Sequence, residues 1–451
     1  MNMKKYCLVL LLPLLMSCAK DWRQVEFPND NPTYTPNGTN GNGSRDSTSN
    51  GSKTPIVDKT PGKIVLSEGD AKLVDRTNDF AFSLTDALFA KANGHSFVVS
   101  PLSVGYLLGM LNDGAMGATQ EEIAMTLGFG NVSRETINKY FGNLLVNSPL
   151  VDERVDITSA NALFANSAKG IQFAEQYAAD MKGYYQAGVE SLDFTSAESS
   201  LNRINGWCNE TTNGMIPSIL SRDEFNAAGL AYILNSIYFK ADWTSAFDKE
   251  DTTPADFTTS EGKKLQLPMM HKQDDVQYLE SEDMKVVAMS YGGGAYSMYV
   301  LLPDEGKLLA DIIGNLGAEK WAQLVKEMKN TVMGVDIMMP KYETETDTDL
   351  ASVLTTMGMR TAFTNEADYG NMLQTGDIYF DLMKQKARIE VSEEGTKAAA
   401  ATIAGQVTLD EGGTDQEPQL PTFHATRPFL YIIMEQTTGA IFFMGIYSGE
   451  E

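Results

Sequence analysis

Apolar residues recur along this chain with two different periods, and the changes of period mark its elements. Phe80, Leu84 and Leu88 stand four apart, which predicts a helix opening near Asn78. Phe97 to Val99 is a short buried strand by its continuous apolar run, and Ser100-Pro101 behind it supplies an N-cap and a first-turn proline. Thr119-Gln-Glu-Glu122 has the form of a capping box, so a helix is expected to begin there. A further helical stretch covers 132–146. Ile157 to Phe164 reads as a strand and Gln172 to Tyr185 as a helix; Leu192-Asp-Phe194 then leads to Ile204-Asn-Gly-Trp207.

Leu230 to Phe239 is a long apolar strand interrupted by Asn235-Ser236, with Trp243 beyond its end. Leu265 to Met270, Val286 to Ser290 and Ser297 to Leu302 are strand-like, and Leu309 to Met328 is largely helical. Val335 to Met339 is a strand closed by Pro340-Lys341, and Leu350 to Met357 is a short helix. Phe429 to Met434 and Ile441 to Met444, joined through Gly439, predict a buried hairpin. Helices dominate the first half and strands the second, with no internal repeat and no regular β-α alternation. That distribution predicts an α+β fold.

One stretch does not keep a single period. Met383, Gln385, Ala387, Ile389 and Val391 fall on one face, and Lys384, Lys386, Arg388 and Glu390 on the other, which is the period of a half-buried strand. Glu393-Glu394-Gly395 breaks the alternation, and glycine permits a backbone reversal that other residues resist. Thr396 and the alanines Ala398, Ala399, Ala400 and Ala401 follow, then the β-leaning Thr402, Ile403, Val407 and Thr408. Alanine favours helix but has almost no side chain to hold a structure in place. On composition the segment is an Ala-rich surface loop; on length and side-chain size it is also able to become a strand.

The chain has 451 residues, 43 % of them hydrophobic, which is ample for a large core, and length alone suggests two or three domains. The net charge of −25 argues against nucleic acid and heparin-like polyanions as partners. With Cys7 in a targeting segment and Cys18 a lipidation candidate, Cys208 is left alone and no internal disulfide is expected. His95, His271 and His424 give His-based catalysis and zinc sites little to work with, and HExxH, GxSxG, CxxC and P-loop motifs are missing. No cofactor, no metal and no enzymatic activity are therefore expected.

Residues 1–17 read as a lipoprotein signal peptide: Lys4-Lys5, then an apolar run from Cys7 to Met16 too short to span a bilayer. Leu15-Met16-Ser17-Cys18 resembles a bacterial lipobox, with Cys18 as the lipid attachment; the alternative is an ordinary signal peptide cut elsewhere. Residues 18–65, rich in Thr, Ser, Asn, Gly and Pro, form the lipidated flexible tether, and 66–451 the folded domain. These features point to the outer membrane, on its periplasmic or cell-surface side. Lys20-Asp21 is similar to the surface-export signals of some Bacteroidetes lipoproteins.

Taken in order, the segments resemble the serpin family of serine protease inhibitors. Ser100-Pro-Leu-Ser103, Gly114-Ala-Met-Gly-Ala-Thr119, Leu234-Asn-Ser-Ile-Tyr-Phe-Lys240 with Trp243, and Pro340-Lys341 look like family motifs. So do Gly358-Met359, Glu393-Glu-Gly-Thr-Lys-Ala-Ala-Ala-Ala-Thr402, Arg427-Pro-Phe429 and Phe443-Met-Gly445. The resemblance covers about 75 to 449 and implies one domain of three sheets and eight or nine helices, which overrides the length argument. It also implies a suicide-substrate mechanism, in which cleavage of an exposed loop lets it insert into the central sheet and trap the protease covalently. On that reading Glu393 to Thr396 and Ala398 to Thr402 form the hinge, with Thr396, Ala398, Ala400, Thr402 and Ala404 facing inward and Lys397 outward.

Counting from Gly395 puts the reactive bond at Leu409–Asp410; counting back from Pro428 lands at about 414–417, because the loop is longer than usual. The first count is preferred, since the trap constrains the inserted length, and Thr408 and Val407 remain alternative cut points for elastases. Leu409 implies targets with a hydrophobic primary pocket, of chymotrypsin, elastase or subtilisin type. Ser100, Ser103, Asn235 and Gln385 match the region that controls sheet opening, and Trp243, Lys341 and Glu393 the region where the hinge first enters. A monomer is expected, without a polyanion activator, since 132–146 offers only Arg134 and Lys139 as basic residues. The alternative is a non-inhibitory serpin that binds or adheres at the cell surface.

Overall fold

The computed structural model describes residues 61–396 and 420–449, all within one compact unit, Pro32–Glu451. Helices α1 (Glu68–Ala92), α2 (Pro101–Gly114), α3 (Gly117–Thr126) and α4 (Arg134–Asn147) come first, with only the short strand β1 (Phe97–Val99) among them. Next come β2 (Val155–Asn166), β3 (Gln172–Phe173), α5 (Glu175–Tyr185), β4 (Gly188–Leu192) and α6 (Ala197–Thr211). Strands then take over: β5 (Ala231–Asp242), β6 (Thr253–Thr258), β7 (Lys264–Glu280), β8 (Met284–Tyr291) and β9 (Tyr296–Pro303). After α7 (Leu309–Asn315) and α8 (Ala318–Met328) come β10 (Val332–Pro340), β11 (Tyr342–Asp349), α9 (Ala351–Thr356) and β12 (Leu373–Thr375). The last strands are β13 (Leu382–Val391), β14 (Gly395–Thr396), β15 (Thr422–His424), β16 (Phe429–Glu435) and β17 (Ile441–Tyr447).

Among the described residues these make nine helices and three sheets, an α+β fold. A nine-stranded sheet runs β1-β17-β16-β9-β8-β7-β10-β15, with β6 on β7. A six-stranded sheet runs β11-β13-β5-β2-β4, with β14 on β5, and β12 pairs β3. The six-stranded sheet is covered on both faces at its centre. Ile233, Ile237 and Phe239 of β5 enter the main core, while Tyr232 and Leu234 join a smaller cluster with Ile204, Trp207 and Cys208 of α6. Burial on both sides is why β5 reads as a continuous apolar run.

Several sequence expectations shift. The proposed capping box does not form: α3 starts at Gly117 behind Met116, which makes no side-chain cap. Thr119 Oγ1 instead accepts from Asp368 N at 2.9 Å, and Glu122 Oε2 accepts from Thr361 N at 2.8 Å. Tertiary partners have taken both residues. The span Leu309–Met328 breaks into two helices around Leu316-Gly317, and α5 starts at Glu175 because Gln172 and Phe173 pair with β12. Packing also begins ahead of residue 66: Gly62 N donates to Val151 O at 2.7 Å and Ile64 is buried.

Candidate functional site

β5 and β13 lie side by side in parallel, but only from Leu382↔Tyr232 to Arg388↔Tyr238. Beyond that point both strands continue, to Asp242 and Val391, without pairing to each other. The mouth of the resulting gap is filled by β14, where Gly395 and Thr396 pair antiparallel with Asp242 and Ala241. The chain gets there through a two-residue turn, Glu393-Glu394, closed by Ser392 N to Gly395 O at 2.8 Å and Gly395 N to Ser392 O at 3.1 Å. Gly395 has φ +128°, and a Cβ on it would stand 2.3 Å from Ala241 O, so both its conformation and its space require glycine.

The turn is held by the segment that follows β5. Trp243 Nε1 donates to Ser392 O at 2.9 Å. Phe247 N donates to Glu393 O at 2.8 Å and Trp243 N to Glu394 O at 2.9 Å. Three successive carbonyls of the reversal are thus satisfied. Trp243 is itself backed by Tyr291, stacked with ring centroids 4.2 Å apart. The Glu393 side chain is buried and accepts from Lys341 Nζ at 2.9 Å and Thr252 Oγ1 at 3.0 Å. Burial raises its pKa, but Lys341, the backbone and Thr252 outweigh that and hold it below the usual carboxylate range. Glu394 pairs with Lys249 at 2.5 Å on the exposed side.

Further down the sheet, four predicted residues meet in one buried network. Ser100 caps α2 by accepting from Ser103 N at 3.3 Å, and Ser103 Oγ lies 3.1 Å from Ser159 Oγ. Gln385 on β13 accepts from Ser100 N at 2.9 Å and donates to Ser100 O at 3.1 Å. Its Nε2 also donates to Asn235 Oδ1 on β5 at 3.0 Å, across the β5–β13 boundary. Asn235 Nδ2 in turn reaches Ser159 Oγ at 3.1 Å and Asn161 Oδ1 at 2.9 Å on β2. Side chains from α2, β2, β5 and β13 therefore fasten the sheet shut from the core side.

A second fastening lies on the opposite face, and sequence reasoning missed it. Lys384, read as belonging to the polar face, is 1 % exposed. Its ammonium pairs with Asp347 of β11 at 2.8 Å and with Glu224, in the segment between α6 and β5. Burial raises the Glu224 carboxyl, yet Lys384 and Ser221 bring it down to about 2, while burial dominates at Asp347 and pushes it up. Lys386–Glu345 at 3.0 Å and Arg388–Glu343 at 2.7 Å continue the row of ion pairs between β13 and β11. The alternating acids of β11 carried a signal for this row, but nothing local pointed to Glu224.

Both predicted clusters are thus brought together: Ser100, Ser103, Asn235 and Gln385 in one, Trp243, Lys341 and Glu393 in the other. Ser159, Asn161, Ser392 and Thr252 were not anticipated. Ala398, Ala399, Ala400, Ala401 and Thr402, predicted for the hinge, the predicted reactive bond Leu409–Asp410 and the predicted lipid attachment Cys18 lie outside the described residues. The histidines, counted as too few for a metal site, do include two, His271 and His424, that converge on Asp336.

The family model for serpin (serine protease inhibitor) matches residues 75–448. The chain is a serpin. Human Serpin B3 is 31 % identical to it over 396 residues, spanning 83 % of this chain and 99 % of the relative. Among solved structures, the thermophilic serpin tengpin in its native state superposes with a TM-score of 0.74 at 26 % identity, over 86 % of this serpin and 96 % of tengpin. Thyroxine-binding globulin in complex with thyroxine superposes at 0.73 with 25 % identity, over 83 % and 98 % of the two chains. Family membership supports protease inhibition as the general function of this serpin, in a family that also contains such a hormone-binding member.

Proposed function

We propose that this serpin inhibits serine proteases as a suicide substrate, with Leu409–Asp410 as the reactive bond. The protease serine attacks the Leu409 carbonyl, the peptide bond breaks, and the Asp410 amine leaves with the transferred proton. Leu409 stays joined to the enzyme as an ester while the freed segment moves into the gap between β5 and β13. The observation that carries this reading is β14, already paired antiparallel with β5 at the mouth of that gap.

Continuing the β14 register would set Ala398, Ala400, Thr402 and Ala404 opposite Phe239, Ile237, Asn235 and Ile233. Phe239, Ile237 and Ile233 belong to the main core, so the small residues of the loop would face the crowded side. From Thr396 to Leu409 is about 14 residues, roughly 45 Å of strand. Insertion exchanges one parallel interface for two antiparallel ones, and antiparallel pairing is the more stable per residue. That difference gives the process a direction.

Cutting the loop and comparing thermal unfolding of the intact and cleaved protein tests the insertion step. The cleaved form should melt at least about 10 °C higher, because a full strand is added to a domain whose Tm moves only about 2 °C per kcal/mol. An unchanged Tm would favour the second reading, a non-inhibitory binding protein, for which the likeness to thyroxine-binding globulin speaks. Proteases with hydrophobic primary pockets are the targets on this proposal. Cys18 carries the lipid, and the residues between it and Gly62 tether the domain at the bacterial outer membrane. Cys18→Ala should move the protein from the membrane to the soluble fraction.

A further inference from the structure

We propose that His271, Asp336 and His424 form a binding site for a divalent first-row transition metal, with Zn²⁺ as the natural probe. The three come from three neighbouring strands of the nine-stranded sheet. His271 of β7 and His424 of β15 both stand opposite Met338 of β10, on either side of it, and Asp336 lies two residues back on β10. A period of two puts all three on one face. His271 Nε2 is 2.7 Å from Asp336 Oδ1 and His424 Nε2 is 2.8 Å from Asp336 Oδ2, so each ring addresses its own carboxylate oxygen. The candidate ligand atoms all lie within 4.8 Å of one another.

Two imidazoles and one carboxylate are a donor set that suits zinc and its neighbours, and water can complete it. Bonds of roughly 2.0–2.1 Å at tetrahedral angles put ligand atoms about 3.4 Å apart. Each ring nitrogen must therefore move off its Asp336 oxygen by well under 1 Å, while the two ring nitrogens settle at about the same 3.4 Å from each other. They have room, since the His271 and His424 side chains are 42 % and 38 % exposed, and Asp336, at 19 %, is the fixed member. The net charge of −25 favours a cation over an anion at any such cluster.

The consequence falls on β15. Among the described residues it is an edge strand held by three pairs, Asp336↔Thr422, Ile337↔Phe423 and Met338↔His424. It is also the first described strand after residue 396. A metal ion would tie this strand through His424 to β10 and β7.

Calorimetric titration of the purified full-length protein with ZnCl₂, free of chelator, tests the site. About one equivalent should bind, and zinc should raise the Tm. The His271→Ala/His424→Ala double variant should bind at least roughly tenfold more weakly and lose the zinc-dependent Tm shift, while still unfolding cooperatively without metal. Cobalt(II) should give visible absorption in the wild type that is missing from the double variant. Should that variant fail to fold, Asp336→Asn, which keeps the shape of the cluster, serves for the same comparison. Binding weaker than about 1 mM, or binding that neither variant changes, would overturn the proposal and leave the cluster as a hydrogen-bonded His–Asp–His group.

Discussion

Gln385 meets both backbone polar groups of Ser100 and the amide oxygen of Asn235, all buried. Gln385→Leu would leave Ser100 N–H and Asn235 Oδ1 short of partners, at about 1–3 kcal/mol each. The expected loss of native stability is about 3 kcal/mol, measured by denaturant unfolding. Glu393 carries a pH dependence at the Ser392–Gly395 turn. Its folded pKa lies below the ordinary 4.5, so its stabilising effect is complete above that value and fades as pH falls through the lower one. Fluorescence of Trp243, isolated by subtracting a Trp243→Phe variant, should change over that acid range, and Glu393→Gln should flatten the change. At this scale the sequence was half legible. The polar residues on apolar faces, Gln385 and Asn235, announced that they needed partners. Which partners they find depends on β2 lying beside β5, and no local pattern encodes that. Lys384 lies on the face that alternation gives it, but its burial was not readable for a related reason: the segment carrying Glu224 is what covers it.

β13 is fastened to its surroundings on both faces, and a strand inserted beside it would move it about 4.8 Å from β5. Such a displacement separates Gln385 from Asn235, and Lys384 from Glu224. Glu224→Ala should therefore speed insertion, by up to about fivefold for a partly exposed pair. Fewer inhibitor molecules should then be consumed per protease trapped. Native Tm should change little, because Asp347 still holds Lys384. A rate and a stoichiometry both unchanged would mean that this ion pair does not restrain the sheet. The elements that matter here, β5 and β13, were readable because double-sided burial and strict alternation are strong local signals. β11 was not, since Tyr342-Glu-Thr-Glu-Thr-Asp-Thr-Asp349 alternates with threonine rather than with large apolar residues on its inner face. The first turns of α1, from Glu68, were missed because they carry few apolar residues before Leu73.

For the whole molecule, the account is that of a sheet with a prepared vacancy in its pairing. β5 and β13 pair for only part of their length, Gly395 and Thr396 already occupy the mouth, and the fastenings across the boundary are side chains rather than backbone. The α+β class followed from the order of elements, and the ordered motifs outweighed a length that suggested several domains. The pairing of two strands far apart in sequence was not legible from periodicity. The measurement that tests the central claim most directly is to mix the protein with chymotrypsin, neutrophil elastase and subtilisin and resolve the products on denaturing gels with mass spectrometry. The account predicts a covalent complex that survives SDS, together with a released fragment beginning at Asp410. Cleavage at Leu409 without any such complex, even at low protease ratios, would contradict it.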